Sequence, residues 1–308
     1  MEHPIAGLHH VTAIAGNARR NLDFYSRVLG LRLVKKTVNF DDPGTYHFYF
    51  GDEKGSPGTI LTFFPWEGIR RGVTGTGMVS SVNYAVSPAS VDFWKKRLAG
   101  AGVQVTEGEK YGERQLQFQD PDGLAINLVG QVDPRQGWQT SGVPEEVALK
   151  GFHGVTLLLQ RPDVTARILT GVFGYRLERS EGNQFRYRVP AIDTASVVDL
   201  EEMSAGTRGV QGAGTFHHVA FRVKNEEELM EYRQKVLDAG LQPTGKIDRD
   251  YFFSVYFREP GGVLFELATD NPGFTRDEPL EELGRHLKLP RQYEAARQHI
   301  ESVLPALS

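Results

Sequence analysis

Two adjacent histidine pairs and one acidic residue are the side chains of this 308-residue sequence best suited to chemistry. The pairs are His9-His10 and, far along the chain, His217-His218. The acid, Glu266, lies within an apolar stretch, where an unpaired carboxylate is costly to bury. A divalent cation would remove that cost, and imidazole and carboxylate groups are its common ligands. The residue types therefore indicate a metal site.

Strand alternation predicts which histidine of each pair faces the metal, because successive side chains point to opposite faces of a sheet. His217 shares one face with the apolar Val219, whereas His218 lies on the other face. The same parity selects His10 in the first pair and puts Glu266 on the open face of its strand. We therefore expect His10, His218 and Glu266 to converge on one concave surface.

Two histidines and one carboxylate are typical of non-haem Fe(II) oxygenases, in which three protein ligands leave coordination positions for substrate and O2. Mn(II) accepts the same ligands. The ligand set thus predicts Fe(II), with Mn(II) as the alternative metal.

The elements that must position these ligands form a unit that occurs four times. Each unit reads as a strand, a helix and three further strands (βαβββ), from alternation and helical spacing. The helices are predicted at about residues 21–29, 88–99, 164–172 and 226–239. A further helical pattern covers 291–304.

The ligands come from units one and four, so these units must pack together and leave units two and three as a metal-free pair. We predict an α+β fold of four βαβββ modules in two paired, curled mixed β-sheets. Residues 1–140 and 141–272 would each hold two modules, followed by a partly helical tail, 273–308. In the first unit, Thr62 or Phe63 stands where Glu266 stands in the fourth, so no fourth protein ligand is expected.

Polar residues at matching positions of the other units are expected to be structural. His153 is followed by Gly154 at the ligand position. Asp199 has no matching histidine, and Asn83 and Asn127 fill the ligand positions of the second unit.

Composition excludes several classes of function. The net charge is −4 without clustered Lys and Arg, which predicts neither nucleic-acid nor anionic-membrane binding. The absence of cysteine excludes disulfides and thiolate ligands. No signal-peptide pattern and no apolar run of about 18 residues is present, so we expect a cytoplasmic protein. The oligomeric state, including a homo-oligomer, is left open.

An ordered set of motifs resembles the vicinal oxygen chelate (glyoxalase/bleomycin resistance/dioxygenase) superfamily, and within it the hydroquinone ring-cleaving dioxygenases. The likeness covers nearly the full length. It consists of LHHVT at 8–12, PGTILTFFP at 57–65, FRYRV at 185–189, HHVAF at 217–221, PGGVLFE at 260–266 and GFTRDE at 273–278.

The resemblance implies the same metal ligands that strand parity selects. It also implies that His217, Arg249 and Tyr256 act beside the metal, on a small hydroquinone-type aromatic substrate and O2. Tyr256 satisfies strand parity. Alternation points His217 away from the metal unless a strand end or a β-bulge redirects it.

Two other functions stay open at this stage. A glyoxalase-type lyase or isomerase would use Zn or Ni, but its fourth protein ligand is missing from the first unit. A metal-free protein that binds an aromatic drug would leave the burial of Glu266 unexplained.

Overall fold

The structure is a computed structural model that describes residues 4–307. Four consecutive units of a strand, a helix and three strands make up most of this range. The strands of units one and two are β1 (Leu8–Ala15), β2 (Arg32–Val38), β3 (Tyr46–Gly51), β4 (Ile60–Pro65), β5 (Met78–Val86), β6 (Thr106–Lys110), β7 (Glu113–Gln119) and β8 (Ala125–Gly130). Those of units three and four are β9 (Gly151–Leu159), β10 (Arg176–Glu181), β11 (Gln184–Arg188), β12 (Val197–Glu202), β13 (Thr215–Val223), β14 (Ile247–Asp248), β15 (Phe252–Arg258) and β16 (Leu264–Pro272).

Five α-helices accompany the strands in the described range. They are α1 (Ala18–Asp23), α2 (Val91–Gly100), α3 (Pro162–Gly171), α4 (Glu226–Asp238) and α5 (Arg297–Val303). A π-helical turn, Phe24–Val28, continues α1, and short 3-10 turns cover Pro88–Ser90, Phe274–Arg276, Leu280–Glu282 and Arg291–Ala296.

The sixteen strands of the described range form two eight-stranded mixed sheets, each built from two units. Units one and four give the order β14-β15-β16-β13-β1-β4-β3-β2, and units two and three give β10-β11-β12-β9-β5-β8-β7-β6. The central pairs, β1 with β13 and β5 with β9, are antiparallel. The predicted α+β fold and the pairing of unit one with unit four are therefore confirmed.

Helix α4 shows how each unit covers the apolar face of its sheet. Leu229, Tyr232 and Val236 recur at helical spacing and are buried, and the Asn225 side chain caps the helix by accepting from the Glu228 backbone N–H. The first helix begins earlier than predicted, because the Asn17 side chain accepts from the Arg20 backbone N–H and fixes the start there.

The tail after β16 packs along the outer edge of the first sheet. Lys35 on β2 is fully buried and pairs with Asp277, at 2.6 Å, and with Glu278. Further along the tail, the Tyr293 hydroxyl donates to the backbone carbonyl of Phe40. The tail therefore supports the loop that follows β2. In the range 4–307, no helix is both long and apolar enough to cross a membrane.

Candidate metal centre

Three adjacent strands at the middle of the first sheet carry the predicted ligands. His10 lies on β1, His218 on β13 and Glu266 on β16, and β13 is hydrogen-bonded to both of the other strands. Glu266 Oε2 lies 2.8 Å from His218 Nε2 and 3.2 Å from His10 Nε2. The two Nε2 atoms are 3.3 Å apart. The structure thus brings the three residues together with one ligand atom each facing a common point.

Burial and charge hold Glu266 and His218 in the protonation states that bind metals. Glu266 is 0% exposed. Burial raises the pKa of Glu266, but the imidazoles of His10 and His218 outweigh this effect and keep that pKa well below its ordinary value. Burial also lowers the pKa of His218, against the opposing charge of Glu266. An ionised carboxylate and a neutral imidazole are the forms that ligate a cation.

The donor set fits a divalent transition metal. The Ser254 hydroxyl donates to Glu266 Oε1, whereas the buried Oε2 faces only the two imidazole Nε2 atoms and makes no hydrogen bond of normal geometry among the described residues. Three buried ligand atoms that crowd one point without well-formed hydrogen bonds are costly, and a cation between them would remove the cost. Within residues 4–307, these three residues are also the only cluster of His, Asp and Glu side chains whose ligand atoms converge in this way.

The two neighbouring histidines, His9 and His217, occupy β-bulges. On β1, Leu8 and His10 pair with two consecutive residues of β13, which leaves His9 as the extra residue. On β13, Phe216 and His218 pair with two consecutive residues of β1, which leaves His217 as the extra residue. A bulge turns the extra side chain out of strict alternation. His217 consequently lines the same cavity as His218, and the bulge is the exception to strict alternation that the sequence left open.

Each bulged histidine contacts the ring of its neighbour. Nδ1 of His9 lies 2.9 Å from Nδ1 of His10, and Nδ1 of His217 lies 2.8 Å from Nδ1 of His218. A histidine that ligates through Nε2 carries its proton on Nδ1 and donates it to an outer partner. In this arrangement, His9 and His217 accept at Nδ1 and carry their own protons on Nε2. The backbone carbonyl of Thr269 accepts from His9 Nε2, at 3.1 Å.

Arg249 and Tyr256 also line the cavity. Tyr256 on β15 pairs directly with Glu266. Arg249 Nε donates to the Tyr256 hydroxyl at 3.3 Å, and its guanidinium lies 5.3 Å from the centre of that ring. Burial raises the pKa of Tyr256, and the Glu266 carboxylate adds to the rise, so the phenol stays protonated. The structure therefore brings all three residues that the resemblance implied, His217, Arg249 and Tyr256, to the cavity wall.

The cavity above the ligands has a volume of about 360 Å³ and largely aromatic walls. Its size and lining suit a small aromatic molecule. The wall residues besides those already named are Thr12, Asn39, Phe40, Asp41, Asp42, His47, Tyr49, Phe64, Trp66, Phe252 and Leu264.

Sequence reasoning missed several of these residues. His47 is buried on β3 and bonds to Thr62 and Tyr49. Its alternation with Tyr49 in YHFYF, on the strand beside the one bearing Thr62, is the signal that identifies it. Ser254 donates a hydrogen bond to Glu266. It lies two positions before Tyr256 on the same strand, so strand alternation also identifies it.

The second sheet has no comparable centre in the described part of the chain. Its larger cavity, about 830 Å³, is lined by residues such as Ser81 and Asn127 and contains no histidine. Asp199 is paired with Arg186, at 2.8 Å, and with Lys110, at 3.0 Å. Two protein cations therefore neutralise Asp199.

The position equivalent to Glu266 in the first unit holds Thr62. Ala220 pairs with Glu266 between β13 and β16, and Thr12 pairs with Thr62 between β1 and β4. Ala220 follows His218 by two positions, and Thr12 follows His10 by two positions. Thr62 therefore corresponds to Glu266, and this position of the first unit offers no carboxylate.

Comparisons with known proteins agree with this description. The profile of the Glyoxalase/Bleomycin resistance protein/Dioxygenase superfamily matches residues 7–128 and 151–267. MhqO of Bacillus subtilis (strain 168), provisionally named a ring-cleaving dioxygenase, is 48% identical over 97% of this chain and 95% of its own length. The chlorohydroquinone/hydroquinone 1,2-dioxygenase of Sphingobium indicum is 35% identical over 96% of this chain and 95% of its own length.

Solved structures of similar proteins have the same fold as this chain. A Bacillus subtilis protein provisionally named a dioxygenase superposes with a TM-score of 0.96 at 46% identity, over 99% of this chain and 98% of that one. Glyoxalase I from Zea mays superposes with a TM-score of 0.64 at 17% identity, over 91% of this chain and 97% of its own, which shows a common fold alone. With the profile covering most of the chain, this protein belongs to the glyoxalase/bleomycin resistance protein/dioxygenase superfamily.

Proposed function

We propose that this chain is a ring-cleaving dioxygenase that uses Fe(II) to insert O2 into a hydroquinone-type aromatic substrate. The main observation in support of this proposal is that the buried side chains of His10, His218 and Glu266 face an aromatic-lined cavity. Two histidines and one carboxylate leave coordination positions for both reactants. Mn(II) is the alternative metal, and a catechol is the nearest alternative substrate.

The relatives support both the reaction and the substrate class. Full-length relatives at 35% and 48% identity carry names of ring-cleaving enzymes, and one name specifies hydroquinones. The cavity of about 360 Å³ accommodates a single substituted ring. The cytoplasmic location predicted from the sequence belongs to the same proposal.

Bound Fe(II) supplies the Lewis-acid and one-electron chemistry that ring cleavage with O2 requires. The protonated Tyr256 donates a hydrogen bond toward oxygen atoms that gain charge, and Arg249 adds a fixed positive charge beside it. Both groups act without reorganising, because Arg249 is already bonded to the Tyr256 hydroxyl.

His217 is the proton-transfer group of the proposal. Its Nδ1 is engaged by His218, which directs its Nε2 proton toward the cavity. Burial, reinforced by the nearby His218, lowers the pKa of His217 to about 3, so the free side chain is neutral near pH 7. The neutral imidazole can pass its Nε2 proton to a reacting oxygen atom as its Nδ1 takes up the Nδ1 proton of His218, and the reverse shift returns a proton to Nε2.

The glyoxalase-type alternative is less well supported. Such a lyase would be expected to draw a fourth ligand from the first unit, where Thr62 bonds instead to Thr12 and His47. A metal-free binding protein would leave the buried Glu266 Oε2 against two imidazole nitrogens without a hydrogen bond of normal geometry.

Anaerobic loading with Fe(II), followed by oxygen-electrode assays against hydroquinones and catechols, tests the function. We expect one O2 consumed per ring opened, with label from ¹⁸O2 in the ring-opened product. His218→Gln should abolish uptake, whereas the control His286→Gln, at a side chain that is 70% exposed, should not. Absence of O2 uptake by iron-loaded protein across the whole panel would reject the proposal.

A further inference from the structure

Four side chains form a hydrogen-bonded row across three neighbouring strands of the first sheet. The Thr12 and Thr62 hydroxyls are 2.9 Å apart. The Thr62 hydroxyl lies 3.0 Å from His47 Nε2, and His47 Nδ1 lies 3.0 Å from the Tyr49 hydroxyl. The row therefore links β1, β4 and β3 beside the metal ligands.

Strand register explains why these groups meet. Thr12 pairs with Thr62 between β1 and β4, and Tyr49 pairs with Thr62 between β4 and β3. Directly opposed residues on one face of a sheet have neighbouring side chains. All four residues are at most 8% exposed, and Thr12, His47 and Tyr49 line the ligand cavity.

Donor and acceptor chemistry gives the row a direction. Burial lowers the pKa of His47 well below its ordinary value and raises that of Tyr49 well above its own, so the imidazole is neutral and the phenol protonated. A phenol is a stronger donor than an alcohol, and a neutral imidazole has one acceptor nitrogen and one N–H. Tyr49 thus donates to His47 Nδ1, and His47 Nε2–H donates to Thr62. Thr62, whose own proton has no other acceptor in this row, then donates to Thr12.

At the end of this row, the Thr12 oxygen accepts from Thr62 and its own proton is directed away from Thr62. We propose that His47 is a positioning residue that, through Thr62, orients the Thr12 hydroxyl to donate a hydrogen bond to an oxygen atom of the bound aromatic ligand. The inference rests on the proposed function for the identity of that ligand. It assigns part of ligand recognition to unit one, in addition to Arg249 and Tyr256 of unit four.

Equilibrium binding of hydroquinone to the anaerobic Fe(II)-loaded protein, measured by calorimetry, tests the row without turnover. Thr12→Val and His47→Leu should each weaken binding about 5- to 10-fold, the loss expected for one hydrogen bond. Thr12→Ser keeps the hydroxyl and should bind like the wild type. His47→Gln, whose amide N–H can replace Nε2–H, should recover most of the affinity.

The double variant distinguishes positioning from general support of the fold. Thr12→Val with His47→Leu should bind no more weakly than either single variant, because both changes remove the same hydrogen bond. Losses that add, or single variants that bind like the wild type, would overturn the proposed row while leaving the function intact. Wild-type protein that neither binds hydroquinone nor consumes O2 would reject the function and this inference with it. Circular dichroism and iron content equal to those of the wild type confirm that each variant is folded.

Discussion

At the scale of single residues, the metal centre depends on which ring nitrogen of His10 and of His218 remains free to bind the metal. His10 and His218 present Nε2 to Glu266, while their Nδ1 atoms contact His9 and His217. Alternation alone could select His10, His218 and Glu266, because they obey the regular pleat. It could not place His217, since a bulge changes the direction of one side chain and depends on pairing with a strand distant in sequence.

Ser254 is expected to tune the metal through Glu266. Its hydroxyl donates to Oε1 and fixes the carboxylate with Oε2 toward the imidazoles. Ser254→Ala should therefore weaken Fe(II) binding about 10- to 100-fold, as for other groups that orient a metal ligand. Competition with a chelator of known affinity measures the change. Ser80→Ala, which removes a hydroxyl in the second sheet, is the control, and an equal loss there would contradict this role.

Tyr256 is expected to act on turnover rather than on folding. Tyr256→Phe removes the hydroxyl that accepts from Arg249 and faces the cavity, and kcat should fall about 100-fold, the typical effect of losing one donor to developing charge. Steady-state O2 uptake measures it. Tyr84→Phe removes a buried hydroxyl without a partner in the described structure and should leave kcat unchanged. A Tyr256→Phe enzyme with wild-type kcat would exclude the role.

At the scale of elements, the tail and the turns hold the strands that carry the site. Helix positions were predictable from apolar spacing, as in α4. The contact between β2 and the tail was not, because nothing local to Lys35 marks Asp277 and Glu278 as its partners. A buried lysine on a strand is tolerated only when carboxylates that are distant in sequence pair with it in the folded chain.

Lys35→Met should destabilise the protein by about 3–5 kcal/mol, because it leaves two carboxylates without their buried cation. Chemical denaturation of wild type and variant measures the free energy of unfolding. Lys95→Met breaks an ion pair whose lysine is 53% exposed and should change that free energy by no more than about 1 kcal/mol. Equal effects of the two substitutions would show that the tail is not anchored through Lys35.

Asp120, in the turn before β8, gives the fold a specific pH dependence. Burial raises its pKa to about 6, although backbone N–H groups and the Tyr25 hydroxyl stabilise the charged form. A carboxyl with a raised folded-state pKa stabilises the fold at low pH and loses that contribution as the pH rises through this value. From about pH 4.5 to pH 7.5, wild type should lose about 2 kcal/mol of stability relative to Asp120→Asn. A difference independent of pH would contradict the assignment.

At the scale of the whole molecule, chain order and spatial order differ. We propose that the chain is organised as two consecutive two-module segments, 1–140 and 141–272, with a tail, 273–308. Each sheet nevertheless takes one module from each segment, so the metal ligands come from opposite ends of the chain. The predicted metal ligands already indicated that modules from different segments share a sheet, because His10 and Glu266 can bind one ion only if units one and four are neighbours.

The central claim is that His10, His218 and Glu266 hold one catalytic metal. Anaerobic Fe(II) titration of the wild type and of Glu266→Gln, with both proteins shown to be folded, tests it most directly. The wild type should bind about one Fe(II) per chain, and the variant, which retains the shape of the side chain without its charge, should lose binding at least about 100-fold. A Glu266→Gln protein that binds Fe(II) as tightly as the wild type would contradict the claim.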